Sequence, residues 1–559
     1  MARAANVPPP GPPDTDHVDP GVLAGLTDAQ RRAVLSEDMP LCVVASAGSG
    51  KTRVLTRRVA RRVLDGSADA RHCLVVTFTR KAAWELHRRL AHLGVDGVRV
   101  GTFHGVALGE LRRHWADTGR RPPAIVDDPA RIVRQLLSGD AKPGADGPGP
   151  SGADADRALA SEIEWAQASG IDPAGYAAAA TAAGRRAPMQ PEAVAGLYAR
   201  YRQTKTDRQV LDLNDIVSEA ASLLRHDREV AEAVRWRVRH LFVDEFQDVN
   251  PVQWQFVRAL LGDRRDLCVV GDPDQAIYSW NGADPTLMTR LPDLLPGTTV
   301  IRLDANHRST QQILAVAQAV LDAPPPPPAG VPPAGDRPTP RTTTQRTATP
   351  PTASAAAGRP PLSATGVEGP TPVVQAFDDP ADEAVALVRW LRLAHRPGRP
   401  WSHLAVLART RSRLAATADA LRDAGVPVRD LTAVDATGDG APWDGAVVLA
   451  TFHRSKGLEW PVVALVGLED GLVPVVHARS VDAVAEEQRL LYVAVTRAQA
   501  ELWCSCAGRR RADGTIVPAR PSPWLAAIAA AAEPPPPVPA LVARDRLRML
   551  REKLGPTAG

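Results

Sequence analysis

Cysteine is scarce: five residues in 559, at Cys42, Cys73, Cys268, Cys504 and Cys506, mostly inside apolar β-like runs. With no C-x-x-C pair among them, a disulfide framework and a cysteine zinc site are excluded, and reduced core thiols remain. No apolar run reaches the roughly 18 residues of a membrane span. The opening MARAANVPPPGPPDTD lacks the apolar core of a secretory signal. The expectation is a cytoplasmic protein with no membrane partner. Aromatic residues make up only 4% of the chain, and lysine supplies only six of 67 basic residues (Lys51, Lys81, Lys142, Lys205, Lys456, Lys553). Lysine is a compact point charge where arginine is a planar fork, so the few positions that keep lysine draw attention. A net charge of +4 permits a nucleic-acid partner without requiring one.

What is present is ordinary globular material, 44% hydrophobic and 23% charged, in a chain long enough for about three or four domains. Short β-branched runs (Leu41–Ala45, Cys73–Thr77, Val98–Thr102, His240–Asp244, Leu267–Gly271, Thr299–Leu303) alternate with helix-period segments, which predicts an α/β fold with a parallel sheet. The strand signal vanishes between Gly105 and Arg239, where Ala, Leu and Arg predict a helical insertion broken by a Gly/Pro/Asp loop at 139–156. Residues 324–372 hold 15 prolines in 49 positions, a composition that predicts an extended tether. A protein partner on this Pro-rich linker is the alternative reading. The α/β pattern then resumes at Val373–Phe377, Leu404–Ala408, Ala446–Thr451, Val462–Val466 and Glu501–Cys506. A PPPP run at 534–537 precedes a basic tail.

Ala45-Ser46-Ala47-Gly48-Ser49-Gly50-Lys51-Thr52 follows a strand and opens a helix. Small residues there let backbone N–H groups curl around phosphate oxygens at a helix N-terminus. Lys51 is expected on the β- and γ-phosphates of ATP, Thr52 on Mg²⁺, with Arg53 beside them. Leu241-Phe-Val-Asp-Glu245 supplies the acids: Asp244 for Mg²⁺ through water, Glu245 to orient or deprotonate the attacking water. No N-K-x-D guanine reader and no kinase acceptor site is found, so hydrolysis is the expected reaction.

In their order along the chain these segments resemble the UvrD/Rep/PcrA group of superfamily 1 DNA helicases. Leu26-Thr-Asp-Ala-Gln30 looks like the adenine-reading motif of that family, although Thr-x-x-Gln is also a capping box. Thr77-Phe78-Thr-Arg-Lys-Ala-Ala83 and Gly101-Thr102-Phe-His104 resemble segments lining a single-strand track. Leu211-Asp-Leu-Asn-Asp215 is similar to an element leading back from the helical insertion. In Gly271-Asp-Pro-Asp-Gln-Ala-Ile-Tyr-Ser-Trp-Asn-Gly-Ala283 the resemblance puts Gln275 on the γ-phosphate and Tyr278 and Trp280 on DNA bases; every base has a face to stack on. Asn281 stands where the commoner pattern has Arg. Asp304-Ala-Asn-His307-Arg308-Ser309 implies an arginine finger, Arg308, with His307 where Tyr usually stacks on adenine. Thr451-Phe-His453-Arg-Ser-Lys456-Gly-Leu-Glu459-Trp-Pro461 implies His453 and Lys456 near DNA and Glu459 on the ribose. Glu487-Gln-Arg-Leu-Leu-Tyr-Val-Ala-Val-Thr-Arg497-Ala498 implies a second finger, Arg497.

The resemblance implies two RecA-like lobes: a disordered arm (1–20), the first lobe (21–112 and 212–300) around a helical insertion (113–211), and the second lobe (301–322 and 373–531) around a Pro-rich linker (323–372), then a tail (532–559). The implied activity is ATP-dependent movement on single-stranded DNA or single/double-strand junctions, 3′ to 5′, in repair or replication. One departure stands out. Only about 22 residues separate Val428 from Thr451, where relatives carry a second large insertion. A DNA-dependent ATPase that moves or strips proteins without efficient unwinding is therefore the alternative, and an inactive nucleotide- and DNA-binding module the remote one.

Overall fold

The computed structural model describes residues 20–139, 152–327, 363–364, 368–432, 445–512 and 515–533. All but the last residue of the expected arm, most of the loop at 139–156, most of the Pro-rich linker and nearly all of the tail lie outside the described residues.

Two six-stranded sheets organise the chain. The first contains β1 (Leu41–Ala45), β2 (Cys73–Thr77), β3 (Arg99–Thr102), β4 (His240–Val243), β5 (Leu267–Gly271) and β6 (Thr299–Leu303), in the order β3-β2-β4-β5-β1-β6. The second contains β7 (Val373–Phe377), β8 (Leu404–Ala408), β9 (Val428–Asp430), β10 (Val447–Thr451), β11 (Trp460–Val466) and β12 (Ala498–Ala507), in the order β7-β12-β11-β8-β10-β9. Every pairing within both sheets is parallel. Runs such as LCVVA, CLVVT and LAVLA are buried along almost their whole length because helices cover both faces of a parallel sheet. These are two RecA-like lobes.

In chain order the helices used below are α1 (Asp28–Leu35), α2 (Lys51–Leu64), α3 (Arg80–His92), α4 (Phe103–Asp117), α5 (Pro129–Gly139), α6 (Ala153–Ala168), α7 (Tyr176–Ala182), α8 (Pro191–Arg208), α9 (Leu213–His226), α10 (Pro251–Leu261), α11 (Gln311–Asp322), α12 (Pro380–Ala394), α13 (Arg411–Asp423) and α14 (Val481–Val495). Helices α5 to α8 share a core of their own around Leu159, Ile163, Tyr176, Leu197 and Tyr201. Buried Lys205 ties this unit to α9, reaching Asp212 and Asp215 at 2.5 Å each.

Three expectations need correcting. The stretch between Gly105 and Arg239 is not free of strands: Ala124–Ile125 pairs in parallel with Val210–Leu211, in runs too short to leave a period in the sequence. Helix α4 spans the expected boundary at 112/113, yet Phe103, Leu111 and Trp115 all pack in the first lobe. The boundary at 300/301 falls inside β6, which pairs whole with β1. The crossing to the second lobe follows Leu303, since Ile313, Val316 and Val320 of α11 join the core of the second sheet. Gln488 fixes the end of α11, donating to the carbonyls of Val320 (2.6 Å) and Ala323 (2.7 Å) that the helix itself cannot satisfy.

Candidate nucleotide cleft and strand-facing residues

The turn from β1 into α2 carries Ala45 to Thr52. Gly48 and Gly50 sit at φ +69° and +85°, where a side chain is strained. A Cβ on Gly48 would lie 2.5 Å from Asn306 Nδ2 and 2.8 Å from Arg308 Cβ, so the segment after β6 presses directly on this turn. Asn306 Nδ2 donates to Ala47 O at 2.6 Å, and His307 N donates to Gly48 O at 2.9 Å. Gln30 serves two purposes: its Oε1 accepts from Thr27 N (3.1 Å) to complete a capping box, while its Nε2 donates to Ser49 O (2.8 Å). Ser46 N donates to Leu303 O at 3.2 Å. Lys51 Nζ donates to Ala45 O (3.4 Å) and lies 3.7 Å from Asp272 Oδ2. Arg53 instead donates to Ala24 O (3.2 Å).

Asp244 and Glu245 follow β4. Glu245 adopts φ +51°, unusual for a residue with a Cβ, which turns the chain sharply at the strand end. Gln247 Nε2 donates to Glu245 Oε2 (2.6 Å), and Gln247 Oε1 accepts from Asp272 N (2.8 Å). Burial, then the adjacent Glu245, pushes the Asp244 carboxyl up to about 7. Burial works the same way on Glu245, but Lys51, Lys456 and the Gln247 hydrogen bond outweigh it and hold this carboxyl below its ordinary value. Asp244 Oδ1 is buried without a hydrogen-bond partner. An orphaned carboxylate oxygen across from the hydroxyl-bearing start of α2 suits a hard divalent cation. Gln275 Nε2 donates to Asp272 Oδ2 (2.6 Å), within reach of the same network as Lys51.

The second lobe brings its own charges to this cleft. Arg308 Nε pairs with Glu459 Oε2 at 2.5 Å, and Glu459 Oε1 accepts from Gln499 Nε2 at 3.0 Å. Arg497 is fully buried, donating to Val493 O (2.9 Å) and Leu458 O (3.1 Å); burial, then Arg308, lowers its guanidinium below the ordinary value. Tyr492, on α14, accepts from Ala47 N at 3.4 Å.

Lys456, implied near DNA, sits between the two lobes. Its side chain is 8% exposed and its Nζ donates to Asp248 Oδ1 (2.8 Å), Asp248 Oδ2 (2.7 Å) and Gln275 O (2.6 Å). It also lies 4.8 Å from the ring centroid of Tyr278. A long side chain with one positive charge reaches across the lobes to a buried carboxylate. Burial raises Asp248 to about 6 against the attraction of Lys456.

Of the remaining strand-facing candidates, Trp280 is 48% exposed and meets His453 edge-on at 6.4 Å. Burial, then Arg409 and Lys456, lowers His453 to about 4, so it is neutral near pH 7. Gly282, at φ +91°, allows this turn to approach α6: a Cβ there would lie 2.7 Å from Ala168 Cβ. Arg185 Nη1 donates to Trp280 O at 3.3 Å, so the helical unit and both lobes meet around one indole. Phe78, Thr102 and His104 form a second group at the ends of β2 and β3. Phe78 packs against Phe103 at 5.3 Å, the Thr102 hydroxyl caps α4 by accepting from Gly105 N (3.1 Å), and burial lowers His104. Tyr278 is half-buried, packed on the second lobe's core.

Sequence reasoning gave no role to Gln247, Asp248, Asp272, Asn306 or Tyr492. Asp272 and Asn306 sit within quoted motifs beside assigned residues, Gln247 and Asp248 follow directly after the Asp244–Glu245 pair, and Tyr492, inside the Glu487–Ala498 motif, is masked by the apolar run Leu490–Val495.

Residues 26–296 match the UvrD/REP helicase N-terminal domain family, and residues 431–509 the UvrD-like helicase C-terminal domain family. The chain is 34% identical over 612 aligned residues to the ATP-dependent DNA helicase UvrD2 of Mycobacterium tuberculosis (strain ATCC 25618 / H37Rv), covering 91% of this chain and 82% of that one. It is also 35% identical to UvrD1 of the same strain (57% and 41% covered) and 32% identical to PcrA of Bacillus subtilis (strain 168) (55% and 40%).

Proposed function

This chain belongs to the UvrD-like helicase family and is as such an ATP-dependent DNA helicase; we propose that it moves along single-stranded DNA by closing its two lobes on ATP and reopening after hydrolysis. The observation that carries this reading is convergence: Arg308, Arg497, Glu459 and Tyr492 of the second lobe meet the Lys51 turn and the Asp244–Glu245 pair of the first.

In this reading Lys51 exchanges Ala45 O and Asp272 for the β- and γ-phosphates, and the N–H groups of the turn take the rest of the phosphate charge. Thr52 and Asp244 would hold Mg²⁺, which supplies charge neutralisation when bound. Glu245, kept ionised by Lys51 and Lys456, orients the attacking water and accepts its proton. Arg308 leaves Glu459 for the nucleotide, freeing that carboxylate for the ribose, and Arg497 adds a second positive charge in a dry site, where such charge is most effective. Gln30 and His307 flank the adenine. Because both fingers come from the second lobe, ATP favours the closed state by the difference in contacts between closed and open. Trp280 and Tyr278 offer faces for bases, with His453 beside them. The resemblance further suggests 3′-to-5′ polarity and a part in repair or replication, with single/double-strand junctions as the working substrate.

The test is phosphate release with and without single-stranded DNA at one stated salt concentration. Strong stimulation by the strand is expected; equal rates would overturn the coupling. A second reading has a specific observation behind it: β9 and β10 are parallel neighbours, and only 16 residues (431–446) connect Asp430 to Val447, too few for the large insertion of relatives. That favours a motor that translocates or displaces proteins and separates duplexes poorly. Unwinding of a tailed duplex, measured beside translocation, decides between the two.

A further inference from the structure

Helix α3 buries Leu86 and Leu90 against the first lobe and turns a different face outward. On that outer face Arg80, Lys81, Trp84, His87 and Arg88 are all exposed, and their spacing follows one side of a 3.6-residue helix. Trp84 is 63% exposed, more than Trp280, in a chain with only 4% aromatics. The guanidinium carbon of Arg88 lies 5.3 Å from the Trp84 ring centroid. The helix carries Arg80, Lys81, Arg88 and Arg89 against Glu85 alone, and Glu85 pairs with both Arg88 (2.7 Å) and Arg89 (2.7 Å). Such exposed pairs are weak, so a phosphate can compete for either arginine.

Position gives the stripe its meaning. Helix α3 starts at Arg80, after Thr79, whose hydroxyl caps it by accepting from Ala82 N (3.1 Å), and Thr79 follows Phe78. The stripe is therefore continuous with the Phe78–Thr102 group and runs about 12 Å further along the helix, at 1.5 Å per residue. One indole set among cations matches a polyanion with stackable bases. A protein partner would call for a larger apolar patch than this single ring.

We infer that the exposed face of α3, centred on Trp84, is an additional contact for single-stranded DNA, holding nucleotides beyond those that reach Phe78. The inference rests on the translocase reading above and extends its track.

Binding of the full chain to a series of fluorescent oligo-dT strands, from the shortest that binds upward, tests it. Wild type is expected to gain affinity as the strand grows long enough to reach α3. Trp84→Ala should lose about tenfold on long strands, keep its affinity for the shortest, and turn over ATP normally without DNA. Arg80→Gln combined with Arg88→Gln should flatten the salt dependence on long strands by roughly 1.4 in log–log slope, about 0.7 for each phosphate contact. Equal affinity of Trp84→Ala and wild type at every length would overturn the inference, as would an equal loss at every length. Failure of wild type to bind any strand would instead overturn the translocase reading.

Discussion

The candidate nucleotide cleft and the candidate strand-facing surface draw on different residue types and treat them differently. In the cleft, charged groups already hold protein partners: Lys51 has Ala45 O and Asp272, Arg308 has Glu459, and Glu245 has Gln247. On the strand side, rings stand partly in solvent and touch edge-on, as Trp280 does with His453. On the proposed reading, a nucleotide in the cleft would replace these protein contacts and so rearrange the lobes, whereas a strand on the rings would cover surface already in place. The two regions thus proposed for driving motion and holding a strand are joined through Lys456, which bonds Asp248 and Gln275 and lies beside Tyr278.

The largest effects should come from the cleft. Lys51→Ala and Glu245→Gln should each lower ATP turnover by about 10²–10⁴-fold, with Glu245→Gln still binding nucleotide. Steady-state phosphate release and nucleotide titration check both, and normal hydrolysis by either variant would break the assignment. The next largest tests the joint. Removing one partner of a buried pair costs about 3–5 kcal/mol, so Lys456→Met should lower unfolding stability by that order in urea titrations. If Lys456 instead serves DNA, the variant will keep its stability and lose strand affinity. On the ring side, Trp280→Ala should weaken oligonucleotide binding by about 1–3 kcal/mol and leave DNA-free ATP turnover unchanged, measured by fluorescence anisotropy and phosphate release.

This contrast also explains what the sequence could convey. The strands of both sheets were legible because buried parallel strands are continuous apolar runs; Leu41–Ala45, Cys73–Thr77, Leu267–Gly271 and Leu404–Ala408 fall at the expected residues. Strand β9 was not, because its three residues, Val428-Arg-Asp430, are too few to carry a period. In the cleft, a glycine-rich turn, an acid pair and two arginines each point to phosphate chemistry by type. Roles set by long-range burial were hidden. Lys456 is 208 positions from Asp248, and nothing local tells a lysine that crosses a lobe interface from one that faces a phosphate. The boundary at 300/301 failed for a related reason: an edge strand such as β6 looks the same whichever sheet it joins.

The smallest expected effect tests how tightly the two regions are separated. Tyr492 lies in the apolar run of α14, 445 positions from Ala47, and its hydroxyl accepts from Ala47 N in the turn between β1 and α2. The ring is wholly buried, so Tyr492→Phe keeps the packing and removes only the oxygen. A single neutral hydrogen bond is worth about 0.5–1.5 kcal/mol net, and at 3.4 Å this one belongs at the weak end. The variant should therefore shift nucleotide affinity by less than about tenfold and leave oligonucleotide affinity in the absence of nucleotide untouched. Titrating both ligands against the same preparation makes the comparison direct. A change in strand affinity without nucleotide would mean that the turn and the rings communicate before ATP arrives, and the division between a moving cleft and a standing surface would have to be redrawn at α14.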